Sequence, residues 1–312
     1  MKAKLPAIKR KTIGLKTSLA GVILLTVSIT AAVIHIPWSL TSRKNITNIV
    51  NQLNQEIVRG VNDEVEKLFS DTISTQNTIQ EMLETNIIDI DDKKERTAFY
   101  LTFLKANPHI SWISFGYPNG DFFGIQRERS GILNNIESLW DPETKQATRL
   151  IETYQQNKQY IKLLSTSLVT SDYYAPKRSW YKKAIANSGQ IIWTDVYIFD
   201  TSKKPGINSA ITLYKNGEFI GVISIAIELE RISLYLKNID ISKTGTAFII
   251  NSENQLIASQ DINEIQHDLN ENNENLQIKL LKNSAKKELQ IANKVLIKNN
   301  VQLDNLKTIQ QF

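Results

Sequence analysis

The chain has 312 residues, with 37 Lys and Arg against 32 Asp and Glu, a formal charge of +5. Six of the cations (Lys2, Lys4, Lys9, Arg10, Lys11, Lys16) lie in residues 1–16, which hold no acid, so the remainder sums to −1 and a basic nucleic-acid-binding face is disfavoured. The absence of Cys removes a disulfide framework, a thiolate metal site and a Cys nucleophile, and His35, His109 and His267 are too few and too scattered for a His-rich metal site.

With 41% apolar and 22% charged residues, the part beyond the basic tail is globular, with room for two modest domains. Residues 17–42 contain no Asp, Glu, Lys or Arg. The core of that stretch, TSLAGVILLTVSITAAVIHI (17–36), is helical length for roughly 30 Å, the thickness of a bilayer's hydrocarbon layer. A cleaved signal would need a shorter apolar region and a polar, small-residue cleavage site, so an uncleaved anchor over 17–38 is expected. Pro37 should end this helix, because its ring disfavours the α conformation of the residue before it. Trp38 and His35 suit the headgroup interface, and the tail 1–16 should remain in the cytoplasm. The expectation is a single-pass protein of the cell (inner or plasma) membrane, N-terminus in, with the bulk of the chain extracytoplasmic.

Over 45–83 apolar residues recur every three or four positions, from Ile46, Ile49, Val50 and Leu53 to Ile79 and Leu83, without Pro. This predicts one long amphipathic stalk helix, assigned to 45–86, which packs on its own domain, joins a second copy in a homodimer, or does both. Asp91-Asp92 reads as a solvated linker before a helix over 93–105. The period then falls to two: 109–117 and 122–129, around Pro118-Asn119-Gly120-Asp121, form a hairpin signal. Strand-like stretches follow at 131–139 and 146–154, then a polar stretch that leads to a short helix at 180–186. Strands are predicted at 191–194, 195–199, 208–214 and 219–229, the last two around Asn216-Gly217, a pair suited to positive φ. A helix over 230–239 and a hairpin from 245–251 and 255–260 complete the ordered pattern, and the tail from Asn270 is mostly helical in pattern. The fold class predicted is α+β, with antiparallel hairpins, helices on one side and a second sheet beginning near Thr244.

No catalytic constellation is present: there is no GxGxxG or P-loop, no HExxH and no GxSxG, and no cofactor or metal is expected. The informative cluster is aromatic and cationic. Tyr173, Tyr174, Arg178, Trp180 and Tyr181 fall within nine residues, and Trp193 and Tyr197 follow. A guanidinium forms a planar fork for a carboxylate, and aromatic faces wall a small ligand. The plainer alternative is a packed aromatic core with Arg178 as a surface or capping charge.

The stretches YYAPKRSWYKKAIANSGQIIWTDVY (173–197), ITLYKNGEFIGVISIAIELERISLYL (211–236) and TGTAFIINSENQLIAS (244–259) resemble the double-Cache sensor domain of adenylate and guanylate cyclases, histidine kinases and chemoreceptors. FGYPNGDFFGIQR (115–127) is similar to the distal hairpin of cyclase-type, especially cyanobacterial, members. The resemblance implies a PAS-like membrane-distal Cache subdomain, placed at 87–240, and a partial membrane-proximal one at 241–312. It also implies a ligand-sensing module of a membrane-anchored signal-transduction receptor, not itself an enzyme, whose output domain (cyclase first, histidine kinase second) is absent from a C-terminally truncated chain. Its amino-acid-binding branch would place Arg178 on a ligand carboxylate, with Tyr173, Trp180, Tyr181 and Tyr197 lining the site. That branch needs an acid after the hairpin strand for the ligand's ammonium, and this chain has Ala226 there. A simple carboxylate is therefore expected rather than an α-amino acid, unless Asp195 or Glu228 supplies the missing charge. The alternative class is a membrane-tethered structural or coiled-coil scaffold without a small-molecule ligand.

Overall fold

A computed structural model describes residues 14–128, 131–156, 161–199, 201–239, 241, 245–265 and 278–299. Helix α1 runs Leu15–Glu84, and two compact units, Met1–Arg59 and Gly60–Phe312, divide the chain within it.

In the first unit the described residues are helical from Leu15 and leave their large apolar side chains exposed, Leu24 by 68% and Val33 by 65%. The helix is long and apolar enough to cross a membrane by length and composition. Two of its hydroxyls bond within the helix: Thr26 and Thr30 donate to the carbonyls of Ile23 and Thr26. Pro37 lies inside the helix and does not end it. Losing one N–H donor costs one ladder bond, which the continuous helix on either side tolerates.

The second unit is α+β. From 60 to 84, α1 buries Thr72, Thr75, Gln76, Ile79 and Leu83. Helix α2 (Lys93–Ala106) follows, capped by Asp92, whose carboxylate accepts from the Glu95 amide at 2.9 Å. Nine strands then form one antiparallel sheet: β1 Trp112–Gly116, β2 Phe122–Arg127, β3 Ile132–Asp141, β4 Gln146–Gln156, β5 Ile161–Ser171, β6 Ile192–Trp193, β7 Tyr197–Ile198, β8 Pro205–Lys215 and β9 Glu218–Glu228. The order is β5-β4-β3-β2-β1-β9-β8-β6, with β7 also on β8. Asn216 (φ 54°) and Gly217 (φ 81°) make the expected β8–β9 turn. The edge strand β5 occupies a stretch read from sequence as merely polar; exposed on both faces, it has no buried row to produce alternation.

Helices cover both faces of this sheet, which corrects the expectation of helices on one side. Ile113 and Phe115 of β1 and Ile223 and Ile225 of β9 pack with Ile79 and Leu83 of α1 and with α2. The alternate residues Trp112, Val222 and Ala226 pack with Trp180, Tyr181 and Ala184 of helix α3 (Ser179–Ala186). The period-two pleat assigns each strand's odd and even positions to different cores, and strand order alone does not say what covers each face.

Helix α4 (Glu230–Asn238) presents Ile232 and Leu236 to Ile257 and Ala258. These last two belong to a two-stranded sheet of β10 (Phe248–Ile250) and β11 (Leu256–Ser259), as the hairpin signal predicts. Helix α5 (Lys287–Lys298) meets part of the helical pattern of the tail; Thr244, His267, 266–277 and 300–312 lie outside the described residues.

His109, just before β1, has a buried Nε2 with no hydrogen-bond partner. Burial holds its pKa below the ordinary imidazole value; Asp71 opposes this, and Arg231, Arg127 and Lys67 reinforce it. The unfolded chain therefore binds the proton more readily, so stability is full above the ordinary imidazole pKa and is lost as pH falls from there through the lowered folded value. Thermal melts from pH 7 to 5 should show a steeper fall for the native protein than for His109→Asn. Parallel curves would remove His109 as the source.

Candidate functional site

A cavity of about 220 Å³ lies on the α3 side of the sheet. Its floor comes from a row across three strands, where Trp112 of β1 pairs with Ala226 of β9, which pairs with Asn208 of β8. Ser114, Phe122 and Ile136 extend this floor along β1, β2 and β3.

The roof is the segment between β5 and α3. A 3₁₀ turn at Ala175–Lys177, with Pro176 setting its φ, brings the chain over the sheet, and Arg178 follows in extended conformation as the N-cap of α3. Close approach depends on Gly116: a Cβ there would stand 2.8 Å from Ala175 Cβ and 3.0 Å from the Trp180 ring. Tyr173, Lys177, Arg178 and Trp180 line the cavity from above. Tyr173 packs on Phe122 with ring centres 5.1 Å apart, and the Arg178 guanidinium carbon lies 4.3 Å from its ring centre. The Arg149 guanidinium carbon, reaching in from β4, lies 4.8 Å from the same centre.

Tyr197 and Phe199 form the remaining wall. The Tyr197 hydroxyl donates to Asn208 Oδ1 at 2.5 Å, and Asn208 Nδ2 donates to Ser224 Oγ at 2.6 Å. Burial first, and the neighbouring Tyr173 second, push the Tyr197 hydroxyl's pKa up, against a smaller opposing effect of Arg178. It therefore stays a neutral donor, and this chain of bonds fixes one side of the cavity.

The structure brings four of the five residues singled out from sequence, Tyr173, Arg178, Trp180 and Tyr197, around one cavity. Tyr181 is not among the lining residues. One position on from Trp180, it turns about 100° around the helix and packs against the sheet, close to where a Gly116 side chain would be. Its buried hydroxyl has no partner, and burial pushes its pKa up to about 12. Ala226 does line the cavity. Neither acid considered as a substitute does: Asp195 is 99% exposed beside Lys183, and Glu228 is paired with Lys204 at 3.0 Å. Among the described lining residues there are three cations and no carboxylate; Asp200, between the lining Phe199 and Thr201 in sequence, lies outside the described residues. Sequence reasoning missed Arg149 and Asn208. The available signals were an Arg in step with Ile151 on β4, and an Asn heading the apolar run of β8.

The arrangement is a small cationic, aromatic-walled receptacle on one face of the antiparallel sheet. Residues 132–234, which include Arg149 and every roof and wall residue named above, match a family model described as the first PDC sensor domain of methyl-accepting chemotaxis protein-like proteins. The methyl-accepting chemotaxis proteins TlpA and McpA of Bacillus subtilis (strain 168) are similar, at 34% identity over 88 residues and 33% over 92. Each alignment covers 28% of this chain and 13% of the relative's own length. Among solved structures, the ligand-binding domain of the Pseudomonas aeruginosa PAO1 amino acid chemoreceptor PctC in complex with GABA matches at 15% identity, covering 74% of this chain and 79% of that one, with a TM-score of 0.44. These relatives are chemoreceptors and not cyclases or kinases.

Proposed function

We propose that the chain is the ligand-sensing part of a membrane-anchored receptor of chemoreceptor type, and that its cavity takes a small carboxylate without an α-ammonium group. The observation that carries this is the placement of Arg178, with Arg149 and Lys177, beside Tyr173 and Trp180 over an apolar floor that has Ala226 where an acid would be needed. The fork of Arg178 suits a carboxylate, Tyr173, Trp180 and Tyr197 wall its body, and no described lining residue offers a counter-ion to an ammonium. The matched sensor-domain stretch supports the same reading. Helix 17–38 would anchor the protein in the cell membrane with 1–16 inside and the larger unit outside. The exposed Ile46, Ile49, Val50 and Leu53 support a homodimer through the stalk. The expected distal and proximal subdomains at 87–240 and 241–312 remain part of this proposal.

Melting of the full chain in detergent tests the site. Propionate, lactate and pyruvate, compared with alanine and serine, should raise the melting temperature, by an amount corresponding to about 2.7 kcal/mol at a hundred times Kd. Arg178→Ala should weaken binding by more than about tenfold, as expected for a lost charge-assisted pair. Tight α-amino acid binding that is lost in Arg178→Ala and in Asp200→Asn would overturn the choice of ligand. No stabilisation by any small molecule would favour a membrane-tethered scaffold.

A further inference from the structure

We infer that the ligand carries a neutral hydroxyl group, held on the cavity floor by Asn208 and Ser114; this rests on the sensor reading above. The floor is apolar at Trp112, Phe122, Ile136 and Ala226, and one polar strip crosses it. Strand register makes the strip: Ser114 of β1 pairs with Ser224 of β9, and the Asn208 amide reaches Ser224 from the neighbouring row of β8. Ser114 and Asn208 are 5% exposed and Ser224 is fully buried, so a polar atom here draws its partners from the protein or from what fills the cavity.

The strip has hydrogen-bonding capacity left over. Both backbone groups of Asn208 are spent on Thr194, whose Oγ1 accepts from the Asn208 backbone N–H at 2.9 Å and whose own N–H donates to the Asn208 carbonyl at 2.9 Å. Asn208 therefore meets the cavity with its side chain. Among the described residues that side-chain amide has one partner at each end, Tyr197 at Oδ1 and Ser224 at Nδ2. An amide offers two hydrogens and two lone pairs, so one of each remains. The Ser114 hydroxyl makes only a long bond among the same residues, 3.4 Å to the Ser224 carbonyl, and keeps its lone pairs.

These leftover groups suit a hydroxyl. It accepts from the spare Asn208 N–H and donates to Ser114 Oγ, whereas a keto group can only accept. The strip carries no charge, and the cations Lys177 and Arg178 stand in the roof, so the ligand's ionised end and its neutral polar group are sorted to opposite sides of the cavity. An unsubstituted acid of the same length would bury the spare N–H against carbon, which costs more than the hydrogen bond itself gains.

Calorimetric titration of the full chain in detergent, with lactate against propionate and β-hydroxybutyrate against butyrate, tests the assignment. In at least one pair the hydroxy acid should bind about tenfold or more tighter than its unsubstituted partner. Asn208→Ala should erase that preference. Because it also takes a partner from Tyr197 and Ser224, the cleaner variant is Ser114→Ala, which gives up one long bond. Ser114→Ala should cut the preference by at least about threefold, the share of one hydrogen bond, and leave the affinity for the unsubstituted acid in place. Equal affinity within both pairs, a preference that survives both variants, or a Ser114→Ala loss shared equally by all four acids would overturn the hydroxyl assignment and leave the sensor reading intact. Binding of none of these probes, nor of any other carboxylate, would overturn both.

Discussion

Phe115→Ala should lower the unfolding free energy of the larger unit by about 3–5 kcal/mol, the range for deleting a fully buried aromatic ring. Phe115 is 0% exposed and sits where β1 meets both of its neighbours. Its ring centre lies 4.7 Å from that of Tyr117 and 5.6 Å from that of Phe123. Across the sheet, Gly221 adopts φ 154°, and a Cβ there would fall 2.4 Å from the Phe115 ring, so the neighbouring strand is shaped around this side chain. Close packing on every side limits collapse into the space left behind, which places the cost in the upper part of the usual range. Urea unfolding of the full chain in detergent, followed by far-ultraviolet circular dichroism, reads the effect. Leu168→Ala on β5, where the side chain is 70% exposed, is the control and should change stability by no more than about 0.5 kcal/mol. Similar losses in the two variants would contradict the assignment of the core.

Trp180→Ala should cost a comparable amount, about 3–5 kcal/mol, and should also abolish the carboxylate-induced rise in melting temperature. The indole is 3% exposed and faces two ways, lining the cavity and packing in one cluster with Ala175 and Ala184 and with Trp112 and Val222 of the sheet. Its removal joins the cavity to new empty space and takes away one wall of the enclosure, so the ligand loses both contact and exclusion of water. Trp180→Phe restores most of the apolar volume and should recover most of the stability, with a weaker ligand response. Full ligand stabilisation in Trp180→Ala, measured at a temperature where the variant is folded, would remove Trp180 from the site.

The hairpins were legible because their signals are local. Alternation over β1 and β2, and Asn216-Gly217 between β8 and β9, need no knowledge of the rest of the chain. The Tyr173–Tyr181 cluster was legible for the same reason, since its members are sequence neighbours. Arg149 and Asn208 were not, because strand register alone brings them to the cavity. Tyr181 differs from its neighbour Trp180: the turn of the helix packs it against the sheet, apart from the residues that line the cavity. Strand β5 and the passage of α1 through Pro37 were missed for energetic reasons. An edge strand with no buried face carries no hydrophobic period, and a proline's local bias against helix is outweighed when helix runs on both sides of it.

Strand β9 is a partition one residue thick. Ser224 and Ala226 belong to the chamber side, while Ile223 and Ile225 belong to the helical side, where the carbonyl of Ile223 accepts a bond of 3.2 Å from the Gln76 amide of α1. Adjacent residues on one backbone cannot be displaced independently, so substitutions on its two faces will fail to add even though their side chains never touch. A double-mutant cycle between Gln76 and Ala226 should therefore show a coupling that distant pairs lack, because both act on one strand of backbone.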